Sequence, residues 1–228
     1  MTHRPPLLVL WDIDHTLIDG GRVSRRAYAA AFRRATGREL EVSWQFDGRT
    51  ELAAASEVLC AHGVDSGLER FLDLIVEELT ARAGELRAEG RVLPGAVPAL
   101  TALADLGTTQ SVLTGNLRAI AVLKLAALGL EDHLDLRVGA FGDDGYERTD
   151  LPEAAFGRTE KYLGHRYSGK DTVIIGDTLR DVATARAAGA RAIAVATGTV
   201  SAAELAAAGA DVVLPDLADT GAVLAAIR

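Results

Sequence analysis

The sequence predicts an α/β protein: a Rossmann-like parallel-sheet core interrupted once by an inserted α-helical cap. Three observations carry that expectation. From residue 94 onward short apolar runs alternate with helix-length segments, the pattern of a parallel sheet covered on both faces. Several of those runs end in charged or glycine-containing turns. The stretch from 21 to about 90 has helical periodicity and no convincing strand.

The elements follow in order. Residues 7–11 form an apolar run that ends in Asp12-Ile13-Asp14-His15-Thr16 and reads as a buried strand. In the next stretch Ala27, Ala30, Ala31 and Phe32 share one helical face, and Leu68, Phe71, Leu72, Ile75 and Leu79 share another. Between them lie a polar turn, Phe46-Asp47-Gly48-Arg49-Thr50, and a helix over 51–61. After Pro94 a helix over 96–106 leads to a strand at 110–113 and then to Thr114-Gly115-Asn116. A helix over 119–128 closes at Gly129, and 134–138 reads as the next strand. Residues 151–163 form a helix, with Asp150 as N-cap and Pro152 in its first turn. A strand at 172–175 ends in Gly176-Asp177-Thr178. Segments 180–188, 192–195, 202–208, 212–214 and 217–227 continue the alternation. The division expected is a core of 1–19 and 91–228 with a cap of 20–90.

Composition narrows the function. With 24 basic against 32 acidic residues, the 228-residue chain carries a net charge of −8, which argues against a nucleic-acid or anionic-membrane surface. A small anionic substrate stays open, because a metal ion reverses the field locally. One cysteine, Cys60, allows no intrachain disulfide, and no signal or spanning segment is visible, so the expected location is cytoplasmic. Hydrophobic residues make up 49% but aromatics only 5%, so the core must be aliphatic and rich in alanine.

The chemistry concentrates at the strand ends, where open α/β sheets bind ligands. Asp12 and Asp14 are two apart after the first strand, and an extended backbone points such residues to one side. Asp177 follows the strand at 172–175, and Asp181 stands one helical turn further on. A solvated acidic turn would account for either pair alone; four carboxylates at two strand ends suggest a hard divalent cation, most simply Mg²⁺. Thr114, Gly115 and Asn116 end a third strand, with a hydroxyl, a glycine that permits close approach and backbone N–H groups suited to phosphate.

In these three segments, Asp12-Ile13-Asp14-His15-Thr16-Leu17, Leu113-Thr114-Gly115-Asn116 and Ile175-Gly176-Asp177-Thr178-Leu179-Arg180-Asp181, the chain resembles the haloacid-dehalogenase superfamily, and within it the phosphoglycolate phosphatase-like branch with a helical cap. The resemblance implies a Mg²⁺-dependent phosphatase for a small phosphorylated metabolite, working as a monomer or homodimer. It gives Asp12 the role of nucleophile and Asp14 that of general acid and then base. Thr114 would hold the phosphoryl group, with Gly115 and Asn116 beside it. Asp12, Asp177 and the backbone carbonyl of Asp14 would bind the metal, with Asp181 binding it directly or ordering metal-bound water. For the basic residue, where the family usually has lysine, Arg148 is the choice, at the entrance to the helix over 151–163; Lys161 is the rival, and Lys170 sits at the wrong end of its strand.

His15 stands where the family usually has glycine, either as a turn residue or as a substrate contact. Arg49, in the cap turn, would meet the distal end of a substrate, with Trp44 and Phe46 as packing or pocket wall. Cys60 reads as core, since no histidine base accompanies it. A phosphomutase would share all these motifs, and a non-catalytic binding protein could share the fold. A dehalogenase needs neither Asp14 nor the metal carboxylates. A phosphonate hydrolase of this branch needs a cap lysine, which residues 21–90 lack.

Overall fold

The computed structural model describes residues 7–40 and 48–227. Trp44, Phe46 and Asp47 lie outside the described residues. Five parallel strands, β1 (Leu8–Trp11), β4 (Thr109–Val112), β5 (Thr172–Gly176), β6 (Arg191–Val195) and β7 (Val212–Leu214), form one sheet in the order β4-β1-β5-β6-β7. β1 is therefore flanked on both sides, with Trp11 level with Val112 on one side and Ile175 on the other. That register brings the chain ends after β1, β4 and β5 side by side.

Helices α5 (Ala96–Asp105), α6 (Arg118–Ala127) and α10 (Thr220–Ile227) pack on one face of the sheet around Val9, Trp11, Val112, Leu125 and Ile193. Helices α7 (Leu151–Leu163), α8 (Leu179–Ala188) and α9 (Ala202–Ala207) cover the other around Leu8, Leu10, Phe156, Ile174 and Val182. Burial on both faces explains the unbroken apolar run of β1.

The helical insertion comprises α1 (Val23–Thr36), α2 (Glu51–Ala61), α3 (Leu68–Ala81) and α4 (Ala83–Glu89). It is entered and left through a two-stranded antiparallel ribbon, β2 (Ile18–Asp19) with β3 (Arg91–Val92). It has its own core of Val23, Ala27, Tyr28, Phe32, Val58, Phe71, Ile75 and Leu79, which takes in Ile120 of α6 and Leu117 just before it. Thus α6 is the core helix on which the insertion rests. Ala30, Leu68 and Leu72, expected on the buried faces, are half-buried at the margins.

Three local expectations are corrected. Residues 134–138 form no strand. The Asp135 carboxylate accepts from the Arg137 N–H, while the Asp135 N–H and carbonyl bond to Gln110 and Ser111. The backbone is thereby turned away from a ladder, and only a bridge between Leu113 and Ala140 remains. Asp150 does not cap α7 with its side chain, because a 3₁₀ turn over Arg148–Asp150 runs directly into the helix. Cys60 is exposed near the end of α2 rather than core.

Candidate active site

The adjacent ends of β1, β4 and β5 bring Asp12, Thr114 and Asp177 together, and α8 adds Asp181. Carboxylate oxygens of Asp12, Asp177 and Asp181 all lie within 4.8 Å of one another, and all three residues are buried. Glycines make room for them: a Cβ at Gly198 would stand 1.9 Å from Asp177 Oδ2, and one at Gly176 would stand 2.2 Å from the Asp181 carboxyl carbon. Thr178 and Asp181 form a reciprocal capping box at the start of α8, which fixes Asp181 Oδ2.

Arg148 enters this cluster, 5% exposed, and its Nη2 donates to Asp12 Oδ1 at 2.6 Å and to Asp181 Oδ1 at 2.5 Å. Its Nε is buried with no hydrogen-bond partner among the described residues. Burial opposes the guanidinium charge, but Asp181 and Asp12 outweigh it and hold its pKa above the ordinary arginine range. The rival Lys161 is exposed on α7 over the Tyr162 ring, and Lys170 lies exposed before β5.

A single guanidinium does not neutralise three buried carboxylates. Burial pushes Asp12 up to about 7, with Asp181 and Asp14 adding and Arg148 opposing. Burial, Asp12 and Asp181 push Asp177 up to about 8. Such a set of hard oxygen donors, short of positive charge, fits a divalent cation.

Asp14 belongs to a different environment. Its carboxylate lies outside the three-residue cluster and receives Lys124 Nζ at 2.8 and 2.7 Å on its two oxygens and Asn116 Nδ2 at 2.8 Å. Burial would raise its pKa, but Lys124 and Asn116 win and hold it below the usual carboxylate range. Asn116 Nδ2 also donates to Thr114 Oγ1 at 2.8 Å, so Thr114 and Asp14 hang from one amide.

The insertion closes over these groups through the turn before α2. Glu51 N–H donates to the Gly115 carbonyl at 2.7 Å, and Thr50 Oγ1 donates to the Tyr146 carbonyl at 2.6 Å. A Cβ at Gly115 would stand 1.8 Å from the Arg49 carbonyl, so only glycine admits that approach. A cavity of about 170 Å³ remains, lined by Asp12, Asp14, Thr114, Lys124 and Arg148 from the core and by Tyr28 from the cap, among others. Arg49 and His15 also line it. Arg49 is paired with Glu57. His15 is exposed with φ 60°, which gives a physical reason for glycine at this position.

Sequence reasoning passed over Lys124 and placed Glu51 only at the end of the cap turn over 48–51, without a role. Lys124 follows Leu117 and Ile120 at helical spacing on the face of α6 that meets the insertion, and a lysine in such a stripe is the signal that marks it. Glu51, in the first turn of α2, lines the same cavity and is pushed by burial to about 7, against the pull of Lys124.

A parallel sheet with buried carboxylates at the ends of its central strands, under a helical insertion, defines an α/β protein with a candidate metal-assisted active site. The haloacid dehalogenase-like hydrolase family matches residues 7–189, and the chain belongs to that family. It is an enzyme, and its three buried carboxylates are placed so that they could hold a metal ion. It is similar to "Probable phosphatase IndB" of Dickeya dadantii (strain 3937), 29% identical over 206 residues that cover 84% of this chain and 81% of that protein. The fold is similar to that of a predicted phosphatase from Clostridium acetobutylicum, with a TM-score of 0.72, 21% identity, and 96% and 99% of the two chains covered. It is also similar to CbbY from Rhodobacter sphaeroides in complex with phosphate, with a TM-score of 0.76, 20% identity, and 96% and 99% covered. Among the described residues no helix is long and apolar enough to cross a membrane.

Proposed function

We propose that this protein is a cytoplasmic, Mg²⁺-dependent phosphatase that hydrolyses a small phosphomonoester through an aspartyl-phosphate on Asp12. The observation that carries the reading is the contrast between Asp12 and Asp14. One sits in a cation-seeking carboxylate cluster with Arg148, and the other is held apart under its own ammonium.

In the first step an Asp12 oxygen forms a bond to phosphorus while the ester P–O bond breaks, and the departing oxygen takes a proton from Asp14. In the second, water adds its oxygen to phosphorus and gives its proton to Asp14, which frees Asp12 and phosphate. The pair with Lys124 favours the anionic Asp14 that the second step needs. The negative charge of an ester bound at Asp12 would work against that pair and favour the protonated form needed first.

Arg148 would grip the phosphoryl oxygens with its guanidinium, and Thr114 would donate its hydroxyl while accepting from Asn116. Asp12, Asp177, Asp181 and the Asp14 carbonyl would hold Mg²⁺, which neutralises charge on the transferring group. Residues 20–90 would serve as a cap on the core of 1–19 and 91–228, with Arg49 and His15 toward the substrate. The small cavity supports a compact metabolite, and phosphoglycolate is the first ester to test.

The test is phosphate release from p-nitrophenyl phosphate and a panel of small phosphate esters with Mg²⁺ present. Release by the wild type and its loss in Asp12→Asn support the reading. Inactivity across the panel overturns it, as does conversion of an ester to its phosphate isomer without release.

A further inference from the structure

We propose that Lys124 is a positioning residue of this site: it fixes the Asp14 carboxylate at the boundary between the phosphoryl pocket and the cap. The inference rests on the phosphatase reading above and adds a residue to it.

Lys124 lies on α6, seven residues after Leu117 and four after Ile120, both of which belong to the core of the helical insertion. Its neighbours Ala121 and Leu125 face the sheet instead. The lysine thus stands in the seam between the two packed units, where an apolar residue would extend the stripe. It is 3% exposed. Desolvating an ammonium there is costly unless it is fully paired. Its three donors are matched: Nζ reaches both oxygens of Asp14 and, at 2.8 Å, Asn116 Oδ1.

A buried ion pair is weak evidence for stability, since a well-packed apolar pair of similar volume often serves as well. The arrangement has a more specific effect. Lys124 and Asn116 contact the same carboxylate, and Asn116 contacts Thr114, so the three bonds lock Asp14 in register with the residue that would hold the phosphoryl group. Lys124 itself need not touch substrate. It acts through Asp14, on proton delivery to the oxygen that leaves as phosphorus bonds to Asp12.

The experiment compares two leaving groups. The kcat/KM value covers steps through formation of the aspartyl-phosphate, and p-nitrophenolate departs without a proton whereas an alkoxide needs one. Lys124→Met should lower kcat/KM by about 100-fold for the best alkyl phosphate of the panel and by less than about 10-fold for p-nitrophenyl phosphate. Combined with Asp14→Asn, it should cost no more than Asp14→Asn alone. Equal losses for both leaving groups, or losses that multiply in the double variant, would overturn the assignment. Thermal unfolding checks each variant, and if Lys124→Met does not fold, Lys124→Gln, whose amide still donates one bond, carries the same comparison. A wild type that releases no phosphate from any ester removes the phosphatase reading and this inference together. An active wild type with a uniform Lys124 loss removes the inference only.

Discussion

Asp12 and Asp14 leave the same strand two residues apart, yet their surroundings drive them in opposite directions. Asp12 shares Arg148 with Asp181 and faces Asp177, so burial and repulsion raise it to about 7. Asp14 has a lysine of its own and an amide beside it, and is held low. Both sites desolvate their carboxylate, so the number of cations per carboxylate decides the sign. One turn therefore carries a cation-seeking anion and a self-contained ion pair, which is the separation that paired carboxylates need to take different roles.

The harshest test of this contrast is to neutralise each side in turn. Asp12→Asn should lower turnover by at least about 10⁴-fold, measured as phosphate release, because in the proposed mechanism Asp12 forms the bond to phosphorus. Arg148→Ala should cost about 10²- to 10³-fold in kcat. It should also lower the melting temperature in chelator, because it leaves Asp12 and Asp181 facing each other without their counter-charge. Arg148→Lys keeps the charge and loses the fork, and should fall between wild type and Arg148→Ala. If Arg148→Ala retains near-normal turnover, the Asp12 side is not organised by this cation.

What the sequence revealed and what it concealed divide along the same line. The carboxylates, Thr114 and Arg148 stand next to strand or helix ends, where apolar runs stop and a polar residue is conspicuous. The three strand ends meet because β1 lies between β4 and β5, an order that alternating segments imply only loosely. Lys124 lies within a helix, and its partner is 110 positions away, so only the tertiary fold discloses the pair. Glu51 is similar: it occupies an ordinary first-turn position until the cap is seated against Gly115. The misread segment at 134–138 failed because short side chain–backbone bonds from Asp135 and Ser111 competed with a ladder that apolar spacing suggested.

The contrast extends to pH. Asp12, Asp177 and Glu51 have folded pKa values raised to about 7, 8 and 7, so between about pH 4 and 8 the folded protein holds more protons than the unfolded chain. Stability without metal should therefore fall as pH rises through that window. Asp14 has the opposite sign: its contribution is present above the ordinary aspartate range and is lost as pH falls through its lowered value. Melting temperatures in chelator should drop by several degrees between pH 5.5 and 8.5. Mg²⁺ should recover more of the loss at pH 8.5 than at pH 5.5, because it takes the place of protons on the Asp12 side. Equal recovery at both values would mean that those carboxylates are already ionised at the lower pH.

The smallest effect concerns the turn from which both carboxylates hang. His15 is the single non-glycine residue with positive φ among the described residues, at 60°, and its backbone is tied by N–H donation to Ile18 at 2.7 Å and by a bond from Thr197 to its carbonyl. A side chain in that conformation costs about 1 kcal/mol, which His15→Gly relieves in the folded state while adding freedom to the unfolded chain. The net expectation is a gain of about 0.5 kcal/mol, seen as a rise of roughly 1–2 °C in melting temperature. If the backbone alone separates Asp12 from Asp14, the variant keeps its turnover and only gains stability. If the imidazole at the cavity edge contacts substrate, KM for the preferred ester rises severalfold while that for p-nitrophenyl phosphate stays near its wild-type value. A stable variant with kcat reduced equally for every ester would instead show that the histidine holds the turn, and with it the spacing of the two carboxylates.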